Sequence, residues 1–245
     1  MNEFEQGMRR AGKLAGKVLK HAGTFVKPGI TTLELDSIIN KYTTDNGGIN
    51  ACIGYRGYPY AACFSVNTVL CHGTPNDVPL KDGDIVNIDV TVIVDGHYGD
   101  TSATFGVGKI SEEAESLILV AHRAMVAGIY AARANGFTGD IGYASWQAAE
   151  VEGMTTADGI GGHGIGKQFH MAPHIPGKSQ PVTGEVLRAG QFITIEPIVM
   201  LRPSEIRATL IPGSMIHLFE ADTLSAQFEH TVMITDIGCE ILTLP

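Results

Sequence analysis

Residues 80–89 read LKDGDIVNID, and residues 187–196 read LRAGQFITIE. A leucine, a glycine and an isoleucine recur at matching positions, and both stretches end on an acid, Asp89 and Glu196. At the same offset, GIT at 29–31 matches GFT at 136–138. Two matches at one offset predict an internal duplication of an α+β unit. We expect pseudo-repeat halves of approximately 1–108 and 109–245.

The hydrophobic pattern runs through both halves as helices followed by strands. Apolar residues at a helical period predict helices over about 4–25, 32–45, 111–134 and 139–150. Short apolar runs split by Gly, Pro and Asn predict strands over 49–108 and from 158 onward. Because no Pro- or Ser-rich linker separates the halves, we expect a single domain, 1–245, of the α/β (α+β) class. Antiparallel sheets flanked by helices would surround a pseudo-twofold axis.

The composition narrows the functional classes. The 245-residue chain has 44% hydrophobic and 18% charged residues, which is typical of a globular protein with a core. Its 26 acidic and 17 basic residues give a formal net charge of −9, which argues against a nucleic-acid-binding surface. No uninterrupted apolar run has the length of a membrane span, and the acidic start lacks the apolar segment of a secretory signal. We therefore expect a cytoplasmic protein with no nucleic-acid and no membrane partner.

A β-hairpin with acids on one face is predicted around the turn signal Asp95-Gly96. A two-residue loop at this turn places Thr91 opposite Asp100. It also places Asp89 opposite Ser102, and the period of two puts all four side chains on one face. The two aspartates are then diagonal neighbours that can converge on one cation. A solvated polar face of an antiparallel sheet is the alternative that the hairpin alone leaves open.

The second half offers two matching acids. Glu196 is the repeat counterpart of Asp89, and Glu229, followed by His230, leads into the predicted strand 231–234. We expect Glu229 to lie relative to Glu196 as Asp100 lies relative to Asp89, with a longer connection between the strands. The sequence therefore predicts four carboxylates, two from each half, near the pseudo-twofold axis.

A glycine-rich segment at 159–166, GIGGHGIG, surrounds His163. Its spacing resembles two phosphate-binding fingerprints, but no apolar strand precedes it, and Gln168 stands where a P-loop has Ser or Thr. We favour close backbone packing around His163, which leaves its imidazole free as a ligand. Two further histidines, His72 and His170, lie in similar segments punctuated by Gly or Pro.

One histidine and four carboxylates form an oxygen-rich donor set. Their combined negative charge suits two divalent metal ions, whereas a structural zinc site would use Cys and His in a tetrahedron. The sequence predicts two such ions, Co, Mn, Fe or Zn, without fixing which.

Several segments carry a family resemblance, in one order along nearly the whole chain. They are 51–59 (ACIGYRGYP), 71–75 (CHGTP), 83–91 (GDIVNIDVT), 99–102 (GDTS), 162–166 (GHGIG), 194–197 (TIEP) and 225–231 (SAQFEHT). With the ordered set Asp89, Asp100, His163, Glu196 and Glu229, they resemble the methionine aminopeptidases, a peptidase family with the pita-bread fold. The chain begins directly at its first predicted helix, and the stretch 171–195 leaves no room for a helical insertion, so we expect the compact type I form.

The resemblance implies a dimetal aminopeptidase that removes the N-terminal methionine from nascent polypeptides with a small second residue. The ordered set would be the metal ligands. Glu196 would also shuttle a proton. His170 would hydrogen-bond the scissile carbonyl, and His72 would contact the leaving nitrogen. Thr91 would support the ligand Asp100.

The resemblance also implies a pocket for the methionine side chain. It would be lined by Cys52, Tyr55, Tyr58, Cys63, His72, Phe169 and His170. The family usually carries a Trp shortly before Ser225, but the segment 211–224 has none, and the single tryptophan, Trp146, lies on a predicted helix. We expect that Phe219 or His217 covers the pocket, or that its mouth is wider.

Two other readings remain open at this point. The fold also hosts proline-directed dimetal aminopeptidases, which usually carry an extra N-terminal domain and lack this set of pocket residues. Metal-free peptide- or ribosome-binding modules on the fold have typically lost ligands. The aminopeptidase reading implies a monomer whose partners are the N-termini of nascent polypeptides, at the ribosome.

Overall fold

The computed structural model describes residues 2–245. Four α-helices lie in that range, and each agrees with a predicted helix to within one turn. They are α1 Glu3–Gly23, α2 Thr32–Asp45, α3 Glu112–Ala131 and α4 Thr138–Glu150. A short 3-10 helix covers Tyr55–Gly57.

The strands form one large antiparallel sheet and two small ones. Their bounds are β1 Ile49–Asn50, β2 Cys63–Val66, β3 Val69–Cys71, β4 Ile85–Val94, β5 His97–Gly106, β6 Thr155–Thr156, β7 Gly161–Gly164, β8 Met171–Pro176, β9 Phe192–Ile195, β10 Ile198–Met200, β11 Arg207–Leu210, β12 His217–Glu220, β13 Ser225–Gln227, β14 Glu229–Ile234 and β15 Cys239–Ile241. The large sheet has the order β1-β4-β5-β14-β9-β7-β8, with β2 beside β4 and β15 beside β14. The small sheets have the orders β13-β10-β6 and β11-β12-β3.

The predicted hairpin is confirmed residue by residue. In the β4–β5 ladder, Thr91 pairs with Asp100 and Asp89 pairs with Ser102. Asp95 and Gly96 both have positive φ, 49° and 74°. Positive φ at both central residues is what a two-residue turn of the right twist requires, and it explains why an Asp-Gly pair stands here.

Elements at matching positions of the two proposed halves lie at matching places in the sheet. The strand β4 pairs with β5, β9 pairs with β14, and β5 and β14 meet at the centre of the sheet. Single bridges tie the residue before each second helix to the strand entry, Thr31 to Pro79 and Phe137 to Val186. We take these correspondences as support for the proposed duplication into halves.

The helices cover the sheet with their apolar faces. The capping box of Thr31 and Glu34 starts α2. In the first half, α1 and α2 bury apolar residues such as Val18 and Leu35 against Val90 on β4. The beginning of α1 also reaches the second half, where Met8 packs with residues of β9 and β14.

The apolar helix α3 is the one helix, among the residues described, whose length and composition would suit a membrane span. Its Leu117 and Ala121 are buried in a cluster with Val199 and Ala226. Packing against strands β10 and β13 therefore accounts for its apolar character.

Candidate dimetal centre and peptide pocket

One pocket of about 300 Å³ opens on the central strands. It contains every site residue that the sequence analysis singled out. These are Asp89, Asp100, His163, Glu196, Glu229, Thr91, Cys52, Tyr55, Tyr58, Cys63, His72, Phe169 and His170.

The five candidate ligands come from five neighbouring strands of the large sheet. In sheet order, β4 carries Asp89, β5 carries Asp100, β14 carries Glu229, Glu196 directly follows β9, and β7 carries His163. Carboxylate oxygens of the first three lie within 4.8 Å of one another. The Nε2 atom of His163 lies 3.7 Å from an oxygen of Asp100 and 3.6 Å from one of Glu196. The arrangement brings all five side chains to one point.

The relation between the two glutamates differs from the expected one. Ile195 pairs with His230 and Ile198 pairs with Gln227, so the register on both sides places Glu196 directly opposite Glu229. In the hairpin, by contrast, the two aspartates are diagonal neighbours. The difference arises because β9 and β14 are not joined by a tight turn, so other pairings set their register.

Hydroxyl and amide groups hold the carboxylates. The Thr91 hydroxyl donates to Asp100 Oδ1 at 2.7 Å, as the sequence analysis anticipated. The Thr194 hydroxyl donates to Glu196 Oε1 at 2.8 Å, and the Gln227 Nε2 donates to Glu196 Oε2 at 3.0 Å. The sequence analysis missed Thr194 and Gln227. Each lies two residues before an acid of the set, and that spacing on a strand places both side chains on one face.

His163 is oriented by the tight backbone around it. A Cβ on Gly162 would meet the backbone of Thr194, and one on Gly164 would meet the backbone of Ala172. The Nδ1 of His163 lies 2.9 Å from the Gly164 carbonyl, so Nδ1–H donates there and Nε2 remains an acceptor. Burial lowers the pKa of His163 to about 4, which keeps the ring neutral.

The buried carboxylates repel one another. Burial raises the pKa of Asp89 to about 7. Burial, with repulsion from Asp89, raises the pKa of Glu196 to about 8. Burial and repulsion from neighbouring carboxylates also raise the pKa values of Asp100 and Glu229 well above their usual range.

No lysine or arginine forms an ion pair with any of the four within residues 2–245. A cluster of four buried carboxylates is costly to ionise unless cations compensate its charge. The donor set therefore fits divalent metal ions.

The pocket wall beside the carboxylates is apolar and rich in sulfur. Cys52, Tyr58, Cys63 and Phe169 form a buried cluster. The Tyr55 ring packs on Phe169 at 4.7 Å between ring centroids. A flexible thioether side chain suits such a wall of sulfur and aromatic edges.

His72 and His170 flank this wall. The Nδ1 of His72 lies 2.9 Å from the His217 carbonyl, so Nδ1–H donates there and Nε2 remains free. His170 stacks between Tyr55 and His163, with ring centroids 5.2 Å and 4.1 Å away. Although the His170 side chain is exposed at the mouth of the pocket, desolvation by the surrounding pocket atoms, with the nearby His163, His72 and Arg56, lowers its pKa to about 3. Burial also lowers the pKa of His72, so both rings are neutral near pH 7.

The residues of the outer wall were only partly foreseen. His217 and Phe219, expected as alternatives, both line the pocket, while Trp146 lies on α4 outside it. The sequence analysis gave no pocket role to six other lining residues, which are Arg56, Cys71, Ile160, Gly161, Met215 and Ile216. The hairpin of β11 and β12 is held against the pocket by the pairing of Phe219 on β12 with Cys71 on β3. This pairing places His217 and Phe219 in the outer wall.

Comparisons with known proteins identify the family of the chain. The profile described as Metallopeptidase family M24 matches residues 6–236. Methionine aminopeptidase A of Synechocystis is 45% identical over 238 residues, covering 97% of this chain and 93% of that protein. The crystal structure of methionine aminopeptidase from Rickettsia prowazekii matches with a TM-score of 0.95 at 41% identity, covering 100% of this chain and 98% of that chain. Prolidase from Pyrococcus furiosus shares the fold, with a TM-score of 0.77 at 22% identity over 99% of this chain and 64% of that chain.

Proposed function

Because the chain belongs to the methionine aminopeptidases of metallopeptidase family M24, we propose that it releases methionine from nascent polypeptides whose second residue is small. It is a metal-dependent aminopeptidase with the pita-bread fold, as expected from the sequence. The preference for a small second residue and the action at the ribosome as a monomer are carried from the family resemblance, and the cytoplasmic location is carried from the sequence composition. They remain proposals.

One observation supports this function most directly. Five ligand-type side chains from five strands share a 300 Å³ pocket with the thioether-compatible wall of Cys52, Tyr58, Cys63 and Phe169. A metal centre beside a pocket for an unbranched sulfur side chain suits hydrolysis next to an N-terminal methionine. The complete ligand set also disfavours a metal-free binding module. No separate observation favours the proline-directed alternative, because the likeness to prolidase extends to the fold alone.

We assign Asp89, Asp100, His163, Glu196 and Glu229 as the ligands of two divalent ions. Such ions would supply the positive charge that polarises the scissile carbonyl and acidifies a water. The protein residues hold that charge in place. Because Thr91, Thr194 and Gln227 bond Asp100 and Glu196, these carboxylates cannot rotate freely.

Three side chains act on the substrate in this proposal. Glu196 accepts a proton from the attacking water on a carboxylate oxygen and passes it to the departing nitrogen. The neutral ring of His170 donates an N–H to the scissile carbonyl, where negative charge develops. The free Nε2 of His72 accepts a hydrogen bond from the scissile amide nitrogen. The substrate methionine would lie against Tyr55 and the buried wall.

The test is methionine release from Met-Ala-Ser by protein stripped of metal and re-titrated separately with Mn²⁺, Co²⁺, Fe²⁺ and Zn²⁺. We expect activity to return with at least one ion and to fall by at least 100-fold in Glu196→Gln. Glu185→Gln removes an exposed carboxylate outside the pocket and serves as the matched control. Turnover of Xaa-Pro peptides without methionine release would favour the proline-directed alternative. No turnover by folded, metal-loaded protein would contradict an enzymatic function.

A further inference from the structure

Four exposed residues form the mouth of the pocket. They are Arg56, His170, Met215 and His217, and the other residues that line the pocket are buried or half-buried. A peptide whose methionine occupies the buried wall must continue outward past these four. Arg56 is the only arginine or lysine among the pocket-lining residues that the structure describes. A permanent cation therefore lies at the mouth of the pocket in a chain of net charge −9.

The backbone holds Arg56 in an unusual conformation. Its φ of 49° lies in the left-handed region, which non-glycine residues rarely adopt. The Met215 N–H donates to the Arg56 carbonyl at 2.8 Å and fixes the turn. A Cβ on Gly57 would lie 2.7 Å from the Gly213 carbonyl oxygen, so the two loops are in close contact. Strain of this kind is retained where the surrounding structure requires it, and it is most frequent at functional sites.

The Arg56 guanidinium is held in place but has no acidic partner. Its Cζ lies 5.4 Å from the centroid of the Tyr55 ring, which stacks on His170. Across residues 2–245, the guanidinium makes no ion pair and no side-chain hydrogen bond. Five unpaired N–H donors at the mouth of a peptide pocket are suited to a carboxylate.

The distance from Arg56 to the candidate metal ligand His163 corresponds to a few residues of extended peptide. The steps from the guanidinium to Tyr55, from Tyr55 to His170 and from His170 to His163 are 5.4, 5.2 and 4.1 Å. These steps together set an upper bound on the distance from the guanidinium to His163. An extended peptide gains roughly 3.3 to 3.6 Å per residue, so no more than about four residues span it. The third or fourth residue of a substrate can therefore reach Arg56.

We propose that Arg56 is a specificity-determining residue that binds a substrate carboxylate downstream of the scissile bond. The inference rests on the proposed aminopeptidase function. The carboxylate has two sources, the C-terminus of a tripeptide and an acidic side chain at the third or fourth position of a longer chain. The interaction is exposed to solvent, so it favours anionic substrates by about two- to five-fold, mainly through KM.

The test compares matched peptides with the Mn²⁺-loaded enzyme. One pair is Met-Ala-Ser with a free carboxylate and the same peptide as its amide. The other pair is Met-Ala-Ser-Glu-Gly-amide and Met-Ala-Ser-Gln-Gly-amide. We expect the wild type to prefer the anionic member by about two- to five-fold in kcat/KM in at least one pair. We also expect that preference to weaken in 0.5 M salt, where charges are screened.

The variants separate a specific role from a structural one. The measured quantity is the ratio of kcat/KM for the anionic peptide to that for its neutral partner, in each pair to which the wild type responds. Arg56→Gln should bring this ratio close to one, and Arg56→Lys should keep it above one. Arg56→Glu should bring it below one. Arg123→Gln removes an exposed arginine of α3 outside the pocket and should keep the wild-type ratio. An unchanged ratio in Arg56→Gln, or an equal loss on both members of a pair, would overturn the proposal. Methionine release without any charge preference would overturn this inference alone, whereas no release by the wild type would overturn the proposed function.

Discussion

Single hydroxyl groups decide how precisely the candidate ligands are held. The Thr91 side chain is buried, and its hydroxyl is bonded to Asp100 Oδ1. That bond uses one lone pair and leaves the rest of the carboxylate for metal. On the other side of the site, Thr194 bonds both the backbone N–H of His163 and the carboxylate of Glu196. One threonine thus fixes two ligands that come from different strands.

Replacing Thr91 with valine tests this arrangement. Thr91→Val keeps the shape of the side chain but loses the bond to Asp100, so we expect metal affinity to fall by about 10- to 100-fold. Titration calorimetry on metal-stripped protein measures the change. Thr43→Val is the matched control, because Thr43 is fully buried on α2 and its hydroxyl has no partner in the structure. Equal affinities in the wild type and Thr91→Val would contradict the supporting role.

The second helix holds the loop that carries part of the pocket wall. Oδ1 of Asp36 on α2 accepts the backbone N–H groups of Ala61 at 2.9 Å and Ala62 at 3.1 Å. Tyr58 and Cys63 lie on either side of these alanines and form part of the buried wall. The Tyr58 hydroxyl donates back to the Ala62 carbonyl at 3.1 Å. A helix outside the pocket thereby sets the shape of the pocket.

Removing the acceptor on α2 should weaken both the fold and substrate binding. In Asp36→Ala, two buried N–H groups lose their partner, and we expect a loss of about 2–4 kcal/mol in the free energy of unfolding. We also expect a higher KM for Met-Ala-Ser. Asp36→Asn keeps the oxygen acceptor and should lose less than half as much. Urea denaturation and steady-state kinetics give the two readouts, and equal losses in the two variants would show that the charge matters rather than the acceptor.

The sequence predicted those parts of the site that depend on local rules. The register of Asp89 and Asp100 follows from a two-residue turn and the strand period, and the structure confirms it. The register of Glu196 and Glu229 does not follow from any local rule, because the intervening strands belong to other sheets. The outer wall around Phe219 was only partly predicted for the same reason, since long-range pairing with β3 places it.

The molecule as a whole places four carboxyl groups at the middle of one sheet. Strands from both halves bring four carboxylates together, and burial raises their pKa values. In the metal-free folded protein, Asp89 and Glu196 therefore keep protons up to about pH 7 and 8. The unfolded chain loses the same protons near pH 4. The folded form binds more protons in this window, so its stability falls as the pH rises.

Metal removal should therefore destabilise the protein more at high pH than at low pH. We expect chelation to lower Tm clearly at pH 8 and only slightly at pH 5, because protons take over the compensation of charge as the pH falls. Thermal unfolding followed by circular dichroism, with chelator or with Mn²⁺, gives the four values. Asp89→Asn removes one of the repelling charges and should flatten the pH dependence of the chelated protein. An equal or larger effect of chelation at pH 5 would contradict the expectation.

The central pairing of β5 with β14 also determines when the enzyme can first work. Glu229 pairs with Ser102, so the strand that brings the last ligand also covers the open edge of the first half. Until β14 has been synthesised, the edge of β5 that it covers has unpaired backbone N–H and C=O groups. Exposed edges of this kind can pair with strands of other chains. The incomplete chain holds only part of the ligand set until β14 leaves the ribosome. Prematurely terminated products that lack β14 also lack Glu229, so we expect them to be inactive and to aggregate rather than to compete with the finished enzyme.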